Sequence, residues 1–167
     1  RVVVETMAAL KGADAKPALQ QCVRAPIPAV RRQAVAVLAP MCTADDLPFA
    51  IKLSGESALD PRLRGVDLLG QIGGVLAAER LVVLLSEDPA VAAAACRSLI
   101  GLGVSAAPAL LARVKVPAVD RSGAYAAFAL AQIGDGEGRT VVPAELRSAL
   151  TKQLQSPDSL TRVLAAI

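Results

Sequence analysis

Apolar residues recur at helical spacing along the chain, and most of the apolar runs end at a glycine. The glycines are Gly12, Gly73, Gly103 and Gly134, and Cys42 takes the same place between the first two. The residue numbers give intervals of 30, 31, 30 and 31 residues. A fixed period of roughly 20–50 residues is typical of repeat proteins, in which each unit is one supersecondary element. The pattern therefore predicts a helical repeat array.

Each repeat contains two helical patterns separated by a break that carries proline. Proline is tolerated in the first turn of a helix, and a neighbouring Asp or Ser can cap it. A break therefore predicts the start of the second helix of a repeat, which we name helix B. The breaks are APIP, ALDP, EDPA, KVPA and SPDS, at residues 25–28, 58–61, 87–90, 115–118 and 156–159. The pattern before each break predicts a first helix, helix A, at about 14–24, 43–53, 75–86, 105–114 and 141–155.

The B helices share one apolar face. When the terminal glycine (or Cys42) is numbered 12, positions 0, 4, 8 and 11 fall within about 80° on a helix of 3.6 residues per turn. Position 4 is always Ala or Gly, and position 8 is always Leu. We expect this face to be buried, with position 4 where two helices approach closely. Its members are Val30, Ala34, Leu38, Met41, Pro61, Gly65, Leu69, Ile72, Val91, Ala95, Leu99, Leu102, Ser122, Ala126, Leu130 and Ile133.

The stretch LLGQIGG at 68–74 could also be a phosphate-binding loop, because its glycines would let the backbone approach an anion. A phosphate loop needs a GxxxxGK[ST] motif after a strand, and the chain has neither that motif nor a strand pattern before the glycines. We instead predict that Gly73 ends a helix in the left-handed conformation.

The repeats resemble the short HEAT-like repeat of the phycobiliprotein-lyase type, in which V-R-x-x-A follows an Asp/Pro break and L-G-x-I-G comes later. This resemblance implies an all-α fold, a right-handed α-solenoid of antiparallel helix pairs with a period of about 31 residues, as in other armadillo-like helical proteins. It covers residues 1–167 as about four full repeats with a partial repeat at each end, so we expect a longer array or protein. The residues that carry it are VRRQAVAVL (30–38), LDPRLRGVDLLGQIGG (59–74), DPAVAAAACRSLIGLG (88–103) and YAAFALAQIG (125–134).

One feature of the family pattern is incomplete here. The family arginine after position 0 is matched by Arg31 and Arg62, but Ala92 and Gly123 take its place in the next two repeats. The resemblance implies a ladder of Arg–Asp bridges between repeats, and we expect this ladder to be interrupted.

Residue usage disfavours an enzyme. The chain contains no histidine, which removes the commonest general base and excludes Ser-His-Asp or Cys-His nucleophiles and mixed Cys/His zinc sites. Cys22, Cys42 and Cys96 form no CxxC motif, and we expect them to be reduced, buried thiols in a cytoplasmic protein. We predict no catalytic residue, no metal and no cofactor.

Net charge and hydropathy limit the kinds of partner that the chain is expected to bind. The chain carries 18 basic and 15 acidic residues, a net charge of +3 that is modest for a nucleic-acid binder. The longest uncharged stretch, 98–112, contains Gly101, Gly103 and Pro108, and it is shorter than the roughly 20 apolar residues that span a membrane. The sequence therefore favours a protein partner over nucleic acid and predicts no membrane span.

The outward positions of the B helices are the predicted binding surface, because the resemblance implies that B helices line the concave side. Arg and Tyr are frequent anchors at protein interfaces. Each residue alone could equally belong to an ordinary solvated helix face, and Tyr125 and Phe128 could instead pack in the core. The predicted partner-binding residues are Arg32, Gln33, Arg64, Asp67, Gln71, Arg97, Tyr125 and Gln132.

Three other features have a functional and a structural interpretation. The loop GDGEG at 134–138 resembles a calcium loop but lacks its ligand spacing, which favours a simple connector. The basic run VRR at 30–32 could contact phosphate, whereas a solvated Arg32 and an inter-repeat bridge from Arg31 are the structural alternative. Asp45 and Asp46 open a predicted helix A and suit its positive end.

The resemblance leaves three functions open. The first is a non-catalytic scaffold that binds a protein along the B helices. The second is a bilin lyase or chromophore carrier, which would need aromatic residues that are only 2% of this chain. The third is nucleic-acid binding, as in HEAT-like alkylpurine glycosylases, but Asp67 interrupts the basic row and Trp is absent. We favour the first.

Overall fold

The structure, a computed structural model, describes residues 15–116 and 121–136. All regular structure in these ranges is helical, which confirms the all-α prediction for them. Short 3-10 turns lie at Ala39–Met41, Ala44–Asp46 and Gly103–Ala106. The α-helices are α1 Lys16–Cys22, α2 Pro28–Leu38, α3 Leu47–Ser54, α4 Leu59–Ile72, α5 Gly74–Leu84, α6 Pro89–Leu102, α7 Ala107–Lys115 and α8 Arg121–Gly136.

These helices follow the predicted alternation of A and B. Helices α1, α3, α5 and α7 lie within a few residues of the predicted A helices, and each packs against the B helix that follows it. The predicted A helix at 141–155, the break at 156–159 and Gly12 lie outside the described residues, as does most of GDGEG.

The B helices begin at the proline breaks for the expected reason. Pro28 is the first residue of α2 and Pro89 the first of α6, where a missing backbone N–H removes no helical hydrogen bond. The carboxylate of Asp88 caps α6 by accepting a hydrogen bond from the N–H of Ala90 at 3.0 Å. Breaks therefore start helices through fixed φ and side-chain capping together.

The glycines that follow the B helices do not behave alike. Gly73 and Gly103 have φ of 67° and 62° with ψ of −161° and −141°. The positive φ is as predicted, but this ψ lies outside the left-handed helical region, in a region that essentially only glycine adopts. Gly134, which takes the same position in the last described B helix, does not end that helix, because α8 continues to Gly136. Glycine costs only about 1 kcal/mol inside a helix, so it permits an end without forcing one.

The chain divides into two compact units, residues 1–72 and 73–167. In the first unit α2 packs against α4, and in the second α6 packs against α8 and α5 against α7. Equivalent helices of consecutive repeats are therefore neighbours within each unit.

The centre of the predicted apolar face forms the core of both units. Positions 4 and 8 are buried in every B helix except at Leu130, which is half-buried. Positions 0 and 11 are mixed, since Val30 and Leu102 are half-buried while Val91 is fully buried. The face is thus confirmed at its centre and is weaker at its two ends.

Gly65 marks the closest approach of two helices in the first unit. A Cβ atom on Gly65 would lie 2.3 Å from the backbone nitrogen of Ser54 and 2.8 Å from the carbonyl carbon of Leu53. These are backbone atoms of α3, so no rotamer change could make room. The expectation that position 4 is small because two helices meet there is confirmed at this residue.

The cysteines are only partly as expected. All three are free thiols, and Cys96 is buried, with its pKa raised to about 11 by burial. Cys22 and Cys42 are half-buried, so the prediction of three buried thiols is wrong for these two.

One stretch of the described chain, Pro89–Lys115, is long and apolar enough by composition to cross a membrane. This is weak evidence, because the core helices of water-exposed proteins pass the same test. Here the stretch consists of α6, a 3-10 turn and α7, and the backbone turns at Gly103 between them.

Candidate functional site

The polar B-helix residues of the first unit form a short network on α4. Arg64 donates from Nη1 to Oδ2 of Asp67 at 2.8 Å, and its Nη2 lies 3.6 Å from Oδ1 of Asp60. The Arg64 side chain is only 21% exposed, and its buried Nε has no hydrogen-bond partner in the described part of the chain. Arg64 and Asp67 are therefore brought together by the helix and engage each other.

Two further predicted residues lie on α2. Arg32 is exposed and Gln33 is half-buried. Together with Ala29, Val30 and Ala36 they line an open depression of about 440 Å³ along one face of the helix. Small side chains beside a cation and an amide could accommodate the main chain of a partner.

Three predicted residues are exposed as expected. Gln71 lies in the last turn of α4, Arg97 in the middle of α6, and Gln132 near the end of α8. With Arg32, they are the predicted side chains that the structure leaves most accessible.

Tyr125 is in a different environment from the one predicted for a binding residue. It is 7% exposed, which leaves it no surface for a partner and supports the alternative interpretation of a core residue. Ala94, at the same position of the preceding B helix, is also buried. The prediction that position 3 faces outward is thus wrong in the second unit, because α6 and α8 pack directly. At this interface the thiol of Cys96 donates to the Tyr125 carbonyl over 3.7 Å.

Arg31 joins two consecutive repeats, as one interpretation of the VRR run predicted. Its Nε donates to Oδ2 of Asp60, 29 residues along the chain. Its Nη1 also donates to the carbonyl oxygens of Ala25 and Pro26, at 2.7 Å and 3.0 Å. The side chain therefore fixes the break before α2 and the start of α4 at once.

Two more ion pairs in the first unit span one repeat. Lys16 Nζ lies 2.7 Å from Oδ2 of Asp46, 30 residues away. Arg24 Nε lies 2.6 Å from Oε1 of Glu56, 32 residues away, and its guanidinium lies 5.3 Å from the centroid of the Phe49 ring. Both pairs connect α1 with the following A helix or its flanks.

Asp46 is the most buried charged group on this side of the first unit, at 7% exposure. It accepts a hydrogen bond from the N–H of Thr43 at 2.8 Å, at the start of the 3-10 turn that leads into α3. Burial raises the pKa of Asp46, but the hydrogen bonds from Lys16 and Thr43 outweigh burial and hold the pKa below its ordinary value. The predicted helix-opening role is confirmed for this residue.

A groove on the A helices of the second unit was missed by the sequence analysis. It lies between α5 and α7, has a volume of about 420 Å³, and is mostly apolar. The sequence does contain one signal of this groove: α5 is apolar on more than one face, as its sequence GVLAAERLVVL shows. It has more apolar residues than one buried helix face requires. The lining residues are Val75, Ala78, Glu79, Val82, Ser105, Pro108, Ala109, Ala112, Arg113 and Val116.

The described residues were compared with the requirements of a metal site, and the chain with known proteins. Within residues 15–116 and 121–136, no three His, Cys, Asp or Glu side chains are grouped so that they could hold a metal ion. No family model matches the chain, and no curated protein matches it. Among the described residues, helix surfaces, the open depression on α2 and the groove between α5 and α7 are features that can bind a partner.

Proposed function

We propose that this chain is a HEAT-like helical repeat array, a right-handed α-solenoid, that acts as a non-catalytic scaffold for a protein partner. The supporting observation is the contact register: within each unit, helices and ion pairs connect residues about one repeat apart, 29 to 32 positions in the first unit. In a solenoid each repeat contacts only its neighbours, so the contact spacing equals the period.

The proposed binding surface is formed by the outward side chains of the B helices. Arg32, Gln71, Arg97 and Gln132 are accessible and carry donors that suit the carboxylates and backbone carbonyls of a partner. Gln33, Arg64 and Asp67 are half-buried. Since Arg64 already pairs with Asp67, we assign the main contribution to the four accessible residues.

No reaction is part of the proposal. The chain has no histidine, and the four residues assigned the main contribution are arginines and glutamines, which bind rather than transfer protons at neutral pH. A cytoplasmic location accompanies the proposal as an expectation from the reduced cysteines.

The test begins with an immobilised chain and lysate of the source organism, with and without nuclease, followed by identification of the retained proteins. The identified partner is then purified, and its Kd is measured against the wild type and against Arg32→Glu and Arg97→Glu. We expect each reversal to weaken binding about tenfold or more, the effect of losing a contact worth about 1.4 kcal/mol.

Lys52→Glu is the matched control, because it reverses one exposed cation on α3, an A helix. Equal affinity of the wild type and both arginine variants would contradict the B-helix surface. Partners that are lost with nuclease would favour the nucleic-acid function, and visible absorbance of the purified protein would favour the chromophore function.

A further inference from the structure

The α5–α7 groove is an unusual surface for a charged helix array. It is bounded by two A helices, and some of its apolar walls are open to solvent: Val75 is 67% exposed, and Val116 is exposed as well. Leaving such side chains in water forgoes about 25 cal/mol for each Å² of apolar surface that could be buried. A ligand that covers the groove would recover this free energy.

The apolar surface extends past the groove itself. Leu76 and Val83 lie on the adjacent row of α5, and Val104 lies in the turn before α7, all of them exposed. Exposed apolar surface of this kind marks interaction sites. Together with the groove walls, these side chains enlarge the exposed apolar surface of α5 and of the turn before α7, which favours a macromolecular segment over a small molecule.

Two charged side chains line the groove, and only one of these two is exposed. Glu79 is exposed on α5 between Val75 and Val82, and it has no ion pair among the described residues. On the α7 side, Arg113 donates from Nε to Ser122 Oγ at 2.7 Å, so that its guanidinium is directed toward the start of α8. The groove thus offers apolar walls with a carboxylate that a basic side chain could pair with.

We propose that the α5–α7 groove binds an amphipathic helix of a protein partner, with the apolar face of that helix in the groove and a Lys or Arg beside Glu79. Helices bind grooves through apolar anchors at i, i+3 or i+4, and i+7. The 11 residues of α5 are about 16 Å long, enough for two to three turns of a bound helix. The inference rests on the proposed scaffold function but uses the A helices instead of the B helices.

The test uses a displayed library of 16-residue amphipathic helical peptides, selected on the full chain. The expected result is a set of sequences with apolar residues at helical spacing and a Lys or Arg at one constant position. Binding of a selected peptide, measured by fluorescence anisotropy, should fall at least tenfold with Ala112→Glu, which places a charge in the apolar wall at an exposed position.

A charge exchange identifies the role of Glu79. Glu79→Lys should weaken binding of the selected peptide. The same variant should bind more tightly a peptide in which the basic residue is replaced by Glu, so that the double change restores binding. Ala44→Glu, an exposed position in the 3-10 turn Ala44–Asp46 of the first unit, is the matched control and should leave the Kd unchanged. Circular dichroism of each variant verifies the fold.

The groove proposal is overturned if the selected peptides bind Ala112→Glu as tightly as the wild type, or if they lack the basic residue. It is also overturned if the chain self-associates through this surface, detected as a dimer that Ala112→Glu dissociates. These outcomes are independent of Arg32 and Arg97. The groove proposal can therefore be contradicted without contradicting the B-helix proposal, and the reverse.

Discussion

The two units share a repeat period but connect their repeats by different chemistry. In the first unit, three ion pairs join consecutive repeats, among them Lys16–Asp46 and Arg31–Asp60. In the second unit, α6 and α8 meet through buried small side chains and the Cys96 thiol, and α5 and α7 border an apolar groove. The comparison teaches that the apolar face maintains the repeat, while the residues around it determine what each surface can bind.

The sequence difference behind this contrast is small. Arg31 reaches Asp60 in the first unit, whereas Ala92 and Gly123 occupy the arginine position in the second and are buried. In the second unit, Asp88 caps its own helix by accepting a hydrogen bond from the N–H of Ala90. The arginine position of the pattern is therefore held by the ion-paired Arg31 in the first unit and by two small buried residues in the second.

The largest expected effect tests what the two units share. Leu69→Ala and Leu99→Ala each remove a fully buried side chain at position 8, one in each unit. We expect a loss of about 3 kcal/mol in the free energy of unfolding for both, from lost burial and the cavity left behind. Urea unfolding measures this loss. A loss below about 1 kcal/mol for only one of the two variants would show that position 8 does not have the same core role in both units.

The next effect depends on how closely the backbones of two helices pack, which differs between Gly65 in the first unit and Gly101 in the second. Gly65→Ala should destabilise the chain by about 2 kcal/mol or more, because the new Cβ would overlap the backbone of Ser54. Gly101→Ala is the control, since an added Cβ would meet no atom within 4 Å beyond its chain neighbours and the backbone of its own helix, and it should stabilise α6 by up to about 1 kcal/mol. Thermal unfolding of both variants tests the expected opposite signs.

A smaller effect depends on pH. The pKa of Asp46 is lowered in the folded chain, so its carboxylate stabilises the fold above the unfolded pKa near 3.8, and this contribution is lost as pH falls through the folded pKa. Hydrogen exchange of α3 amides should therefore accelerate below about pH 4, beyond its intrinsic pH dependence, more than that of α5 amides. Asp46→Asn should destabilise α3 at pH 7 and flatten this response, because the amide still accepts from the Thr43 N–H but loses the ion pair with Lys16. An equal acid response in both units would contradict the assignment.

The smallest effect depends on salt. At 1 M NaCl the Debye length falls to about 3 Å, so the exposed Arg24–Glu56 pair should lose most of its contribution, which for surface pairs is about 1 kcal/mol at most. Exchange protection of α1 and α3 should fall by up to fivefold relative to α6. Arg24→Gln should remove this difference. If the salt response persists in the variant, it arises from groups other than the Arg24–Glu56 pair.

The features that could be predicted from the sequence are those that depend on interactions between residues close together in the chain. The alternation of A and B helices, the start of α6 at Pro89 and the small residue at Gly65 depend on periodicity, capping and backbone sterics, which are encoded locally. Gly134 does not end α8, because glycine only permits a helix to stop. Tyr125 was assigned to a binding surface because helical spacing alone does not reveal which neighbour covers a face.

The candidate sites show the same limit. Arg97 and Gln132 were correctly placed on exposed positions, since the buried face leaves them on the other side of the helix. The α5–α7 groove was not predicted, because it exists only where two helices from different repeats lie side by side. Its only local signal was the surplus of apolar residues in α5.

The sequence by itself determined the helical class, the period of about 31 residues, the breaks and the absence of histidine chemistry. Only the tertiary structure decided that Tyr125 is buried, that Arg31 reaches Asp60, and that Glu79 lies in an open apolar groove. The physical reason is that local patterns set backbone conformation over a few residues. Burial, ion pairing and grooves depend on side chains about one repeat apart, which meet only after the helices pack.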